Sequence, residues 1–195
     1  MSREYFNEKA DIWDDVVAEK DKAKLESMVR RMYLAKGATL LDVGTGTGVL
    51  LPFLCEAIGE SGRIYALDFA RLMLEQAKSK TLGGNIGYLL ANVNHIPAKA
   101  RTFDAVVCYS SFPHFPDKAG VLVGIREAMR SGGRLLISHT SSRAHINRTH
   151  RGIPSVKDDL LPDEAEMRHL LEMAGFCDIS IEDNEDSYLA VATSL

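Results

Sequence analysis

The hydrophobic pattern changes period near Ala38. Over residues 7 to 35, Ile12, Val16 and Val17, then Leu25, Met28, Val29 and Met32, recur among charged residues at helical spacing. This predicts one or two amphipathic helices ahead of the core. Beyond Ala38 come short β-branched or apolar runs, "TLLDV", "RIYAL", "IGYLL", "FDAVVCY" and "RLLISH", which suit parallel strands covered on both faces. Helical stretches separate them: Gly48 to Ile58, Ala70 to Ser79 and Asp117 to Met129, the last stopped by "SGG".

Strand and helix therefore alternate, the mark of a doubly wound α/β sheet. Near the end "LPDEAEMRHLLEMAGF" reads as a helix, and "CDISIEDNEDSYLAVATS" holds two strand-like runs around a polar turn. The expected fold is α/β: a Rossmann-like, mostly parallel seven-stranded sheet with helices on both faces, closed by a C-terminal antiparallel hairpin. The 195 residues are expected to form one domain, with a helical cap over 1–36 and a ligand-binding core over 37–140. An insertion follows over 141–162, then the final helix and hairpin over 163–195. The insertion has no assignable structure.

Composition narrows the partners. A formal charge of −4 with scattered basic residues does not suggest nucleic-acid binding, so a small-molecule partner is expected. Cys55, Cys108 and Cys177 lie among apolar neighbours at irregular spacing, which fits free thiols in a reducing, cytoplasmic setting. No apolar leader and no membrane span is expected, because no run approaches the ~18 apolar residues a crossing helix requires. Oligomeric state is left open.

The loop "DVGTGTG" places Gly44, Gly46 and Gly48 between a strand and a helix. Glycine there lets the backbone approach a ligand, and a helix N-terminus offers N–H groups to negative charge. The same glycines would also serve a tight turn with no ligand. In a parallel sheet ligands sit beyond the carboxyl ends of the strands. After the other strands stand Asp68, Asn92, Tyr109 to His114, and His139. Asp68 can accept from both hydroxyls of a ribose or cap the next helix. Asn92 can accept from an exocyclic amine or form an Asx turn.

These residues resemble the class I S-adenosylmethionine-dependent methyltransferases, specifically the small single-domain bacterial and archaeal type. "LLDVGTGTG" resembles the first motif and "IYALDFARLMLEQAK" the second. "FDAVVCYSSFPHFPDKAGVLVGIREAMRSGGRLLISH" resembles the fourth strand, its helix and the fifth strand. The resemblance implies that S-adenosylmethionine is the cofactor and S-adenosylhomocysteine the product. Asp42, Gly44, Thr45, Gly46 and Gly48 would hold the amino-acid end. Asp68 with Phe69 would hold the ribose, Asn92 with Val93 the adenine, and Tyr109 would lie beside the methionine portion. The family usually has aspartate where this chain has Asn92. The opening "YFNEKADIWDD" resembles an N-terminal cap in which Tyr5, Phe6 and Trp13 close over the site or simply pack on the sheet.

The acceptor is harder to read. A sulfonium already activates its methyl group, so orientation dominates and a base matters only if the acceptor loses a proton. His139, His114 and Tyr109 are the catalytic candidates. Arg143, His145 and His150 in the insertion are candidates for substrate recognition, its arginines suiting an anionic acceptor. Alternatively the insertion is a plain loop, or His139, His145 and His150 bind a metal. Their spacing matches no standard motif, so no metal is expected. An NAD-dependent oxidoreductase and a non-catalytic S-adenosylmethionine-binding protein stand as alternatives.

Overall fold

A computed structural model describes residues 3–17, 19–80, 83, 85–97 and 99–195. Seven strands form one sheet: β1 (Thr39–Val43), β2 (Arg63–Asp68), β3 (Ile86–Leu90), β4 (Phe103–Tyr109), β5 (Met129–His139), β6 (Phe176–Asp183) and β7 (Tyr188–Ser194). Their order is β3-β2-β1-β4-β5-β7-β6. The first five strands run parallel, and β7 pairs antiparallel with both β5 and β6. From β1 the chain builds outward to β2 and β3, then returns to add β4 and β5 on the other side. This reversal opens a crevice at the carboxyl ends of β1 and β4.

Alternate strand residues serve opposite faces, as the two-residue strand period requires. Leu41, Val43, Val106, Cys108, Leu135 and Ile137 join one core. That core is covered by α6 (Lys118–Ala128) through Leu122 and Ile125, and by α8 (Glu164–Met173) through Met167 and Leu171. Leu40, Ala105, Val107 and Leu136 join the other core. There α3 (Lys22–Arg31) brings Leu25, Met28 and Val29, and α4 (Leu51–Ile58) brings Leu51, Leu54 and Ile58. The cap begins with α1 (Arg3–Lys9), a 3₁₀ turn over Ala10–Ile12 and the short α2 (Trp13–Val16). α5 (Arg71–Ser79) follows β2.

Three expectations need correction. Ile12, Val16 and Val17 share the helical period of the core residues yet are 44, 70 and 54% exposed. A four-residue helix broken from α1 by a 3₁₀ turn has no continuous face to lay on the sheet. The helix expected from Gly48 begins at Leu51. And "SGG" does not stop α6, which ends at Ala128 as Met129 turns extended (ψ 151°) and enters β5. The glycines instead lie inside the strand, next to a register shift between Phe103 and Ala105. A Cβ on Gly133 would lie 2.8 Å from the carbonyl oxygen of Arg130 and 3.2 Å from that of Phe103, so only glycine fits this bulge.

The insertion is ordered too. Ser142 accepts from the backbone N–H of His145 and starts α7 (Arg143–Arg151). Asn147, buried, then stitches the returning chain. Its Nδ2 donates to the Leu161 carbonyl and its Oδ1 accepts from the Leu161 N–H, both at 2.9 Å. Among the described residues no helix is long and apolar enough to cross a membrane.

Candidate active site

A cavity of about 490 Å³ opens at the carboxyl ends of β1, β2, β4 and β5, within the roughly 300–1,000 Å³ of small-molecule sites. One end is the glycine loop. Gly44, Gly46 and Gly48 all have positive φ, at 71°, 55° and 79°. Their surroundings differ. A Cβ on Gly44 would fall 2.5 Å from Ser111 Cβ, whereas one on Gly46, which lines the cavity, would meet nothing within 4 Å. Gly48 does not line the cavity; its missing Cβ makes room for Leu51 and Ala77. There the missing side chain serves helix packing.

Two carboxylates brace this loop. Asp42 is buried and accepts from the Thr45 hydroxyl at 2.6 Å. Burial pushes its carboxyl up to about 7 despite that hydrogen bond, and the charge of Asp68 adds to the rise. Asp42 does not line the cavity, so it acts on the loop through Thr45, which does. Asp68 does line it. One of its oxygens accepts from the Gly46 N–H at 2.9 Å and the other from the Ala70 N–H at 2.8 Å. Burial raises its carboxyl as well, against those backbone hydrogen bonds. Each oxygen keeps a second lone pair for a ligand hydroxyl. Asn92 accepts from the Asn94 N–H at 3.0 Å, the Asx turn, and lines the cavity beside Val93.

The cap closes over this end. The Phe6 ring stands 5.7 Å from Tyr5, 5.5 Å from Trp13, 5.4 Å from Phe69 and 5.9 Å from His114, centroid to centroid. Asp14 accepts from the Thr47 hydroxyl and sits 2.6 Å from the Lys80 amine. The Asn7 side chain accepts from the Leu72 N–H at 2.9 Å. Tyr5, Phe6 and Trp13 all line the cavity, joined by the exposed Val17.

The other end is a wall of histidines. His114, His139, His145 and His150 all line it. The Tyr109 hydroxyl lies 3.1 Å from that of Thr140, and burial raises the phenol. His139 is 5% exposed, and its Nε2 has no hydrogen-bond partner. Burial holds its imidazolium down to about 3, so the ring stays neutral and is a poor proton acceptor. His114 Nδ1 lies 2.8 Å from Asp159 Oδ2, a residue the sequence did not single out. Burial lowers the His114 proton affinity while Asp159 raises it.

Arg143 does not reach this wall. Its backbone N–H donates to Asp183 at 2.9 Å, and its side chain lies 3.8 Å from the same carboxylate, out on β6. Among the described residues no arginine or lysine lines the cavity. No three histidine, cysteine or acidic side chains among the described residues are placed to hold a metal ion.

Residues 40–133 match the family described as the methyltransferase domain. Over 106 residues the chain is 36% identical to the ubiquinone/menaquinone biosynthesis C-methyltransferase UbiE of Haemophilus ducreyi, covering 52% of this chain and 41% of that protein. Over 119 residues it is 33% identical to the demethylmenaquinone methyltransferase of a Geobacillus species, covering 60% and 51%. The chain thus spans about half the length of these curated relatives. Among solved structures, an S-adenosylmethionine-dependent methyltransferase from Aquifex aeolicus superposes with a TM-score of 0.76 at 23% identity, covering all of both chains. Residues 40–133 thus carry the likeness to a methyltransferase domain, and the superposition shows that the chain shares the fold of the solved structure.

Proposed function

We propose that the chain transfers a methyl group from S-adenosylmethionine to a small, uncharged aromatic acceptor bearing a hydroxyl group, and releases S-adenosylhomocysteine. The observation that carries this reading is the continuity of one cavity from the glycine loop to the histidine wall.

The residues fit the cofactor. Gly46 leaves open space over a bare backbone, as a close ligand approach requires. Asp68 supplies lone pairs for a ribose, and Asn92 with Val93 borders the place for a heterocycle. Among the described residues Asp68 and Glu19 are the acidic groups on the lining and no arginine or lysine joins them, which suits a cation. When bound, the cofactor supplies a methyl group on a positively charged sulfur. The chain's own work is orientation and exclusion of water, worth roughly 7–11 kcal/mol in well-aligned reactions. Phe6, Trp13 and Val17 supply apolar lining from the cap, while Tyr109 and Thr140 offer hydroxyl groups toward the acceptor.

The acceptor class follows from that wall. Ile146, Ile153 and Val156 supply apolar surface between the histidines, and a ring with hydroxyl groups satisfies both. The two relatives named for ubiquinone and menaquinone biosynthesis point the same way. The three free cysteines accord with a reducing, cytoplasmic setting, and the one continuous seven-stranded sheet with a single domain. A non-catalytic binding protein would need no such acceptor space.

Calorimetry with S-adenosylhomocysteine tests the cofactor. Incubation with methyl-labelled S-adenosylmethionine and either 1,4-naphthohydroquinone or phosphoethanolamine tests the acceptor. Binding, with label passing to the hydroquinone only, is expected. Absence of binding, or label on phosphoethanolamine alone, overturns the reading.

A further inference from the structure

His114, His150 and Asp159 come together from three separate places: the 3₁₀ turn Phe112–His114, the last turn of α7 and the loop beyond it. The Asp159 carboxylate lies against Nδ1 of His114 at 2.8 Å. The carbonyl oxygen of the same residue is hydrogen-bonded to Nδ1 of His150. The two imidazoles stack, centroids 5.1 Å apart and planes 27° from parallel. One residue therefore orients both rings. An ionised carboxylate and a carbonyl can only accept, so each Nδ1 must carry the proton, and each Nε2 keeps a lone pair.

His114 Nε2 makes no hydrogen bond among the described residues and is not sealed off among the fully enclosed unpartnered atoms, while its ring lines the cavity. His139 Nε2 is sealed, and that ring stays neutral. Facing His114 are Asp159, His150 and, from β5, His139. Lys118 of α6 acts on Asp159. Only Asp159 among these favours a protonated His114. His150 opposes it, and burial opposes it more strongly.

We propose that Asp159 is a positioning residue that holds His114 as the Nδ1–H tautomer, so that His114 Nε2 takes the proton the methyl acceptor must lose. This rests on the methyltransferase reading above and narrows the acceptor to one that is protic. The proton of an acceptor hydroxyl or ring carbon passes to His114 Nε2. The electron pair so freed forms the bond to the methyl carbon as the carbon–sulfur bond breaks with its pair on sulfur. His114 then returns the proton to water. The imidazolium formed midway is stabilised by Asp159, the arrangement by which a buried carboxylate supports a general base.

The test has two arms. Nitrogen-15 spectra of the imidazoles, which need no acceptor, should show His114 as the Nδ1–H tautomer in the wild type. In Asp159→Asn the His114 titration should move to lower pH, since removing the carboxylate removes the group that favours the charged ring. With 1,4-naphthohydroquinone as probe, His114→Gln should cost about 10²–10⁴-fold in kcat. Asp159→Asn should shift the acid limb of the pH profile to lower pH, with S-adenosylhomocysteine affinity unchanged in both variants. An Nε2–H tautomer, or a pH profile that Asp159→Asn leaves in place, overturns the proposal. Absence of S-adenosylhomocysteine binding in the wild type would fault the methyltransferase reading instead, and the spectra would still judge the dyad.

Discussion

The glycine-loop end of the cavity is built from two strand ends and their turns, residues 42–48 and 68–70, tied by hydrogen bonds from the Gly46 and Ala70 N–H groups to one carboxylate. The histidine end draws on residues 109–116, 139–150 and 156–159, brought together by α7 and the loop behind it. The first end is backbone shaped by local conformation, and side chains there mostly brace the loop. The second is side chains held by other side chains. Changes at the first end should therefore strike folding and cofactor binding together, and changes at the second should strike chemistry more than cofactor binding.

The sharpest break in that comparison lies within the loop itself. Gly44→Ala meets Ser111 Cβ at 2.5 Å and keeps φ at 71°, so strain of about 1–3 kcal/mol adds to overpacking of similar size. Gly46→Ala carries the strain at φ 55° without the clash. Denaturant unfolding should find the first clearly less stable, while calorimetry should find S-adenosylhomocysteine binding impaired in both. Next in size is Asp68→Ala. It takes the acceptor from the buried Ala70 N–H and from Gly46, at a cost of about 1–3 kcal/mol for the orphaned donor. Stability within about 0.5 kcal/mol of wild type would show that water replaces both bonds.

Proton linkage separates the two ends in opposite directions. Asp42 is raised from 3.8 to about 7 on folding, so its stabilising protonated form is fully present below 3.8 and lost as pH rises through about 7. His139 is lowered from 6.5 to about 3, so the stability of its neutral form is present above 6.5 and lost as pH falls toward 3. Asp42→Asn should remove a fall in melting temperature as pH rises from about 4 to about 7, and His139→Gln a fall as pH drops from 6.5 toward 3. Each unit of about 1 kcal/mol should appear as about 2–4 °C in a chain of this size. Identical profiles in wild type and variants would show that neither group titrates on folding.

How far the sequence could be read follows the same division. The strands, the glycine loop and Asp68 were legible because each depends on neighbours within a few residues. So were α8 and the closing hairpin. Ile12, Val16 and Val17 carried the right period but not the burial, since period does not say whether a partner face exists. Gly48 and the "SGG" glycines were visible as special positions, but what their missing side chains make room for lies elsewhere in the fold. The Asp159–His114 bond spans 45 residues, and nothing in the spacing announces it. Asn147, which folds that segment back through Leu161, gave no signal either.

Arg143 supplies the smallest and most discriminating prediction. On sequence grounds it belonged to the acceptor end, where a cation next to histidines would select an anion. In the structure its side chain is 34% exposed and lies 3.8 Å from an equally exposed Asp183, a pair worth at most about 1 kcal/mol. The hydrogen bond from its backbone N–H to Asp183 survives truncation. Arg143→Ala should therefore leave kcat and KM for 1,4-naphthohydroquinone unchanged and lower stability by less than about 1 kcal/mol. A rise in KM would mean that Arg143 leaves Asp183 and turns toward the acceptor, and charge recognition would return to the histidine end.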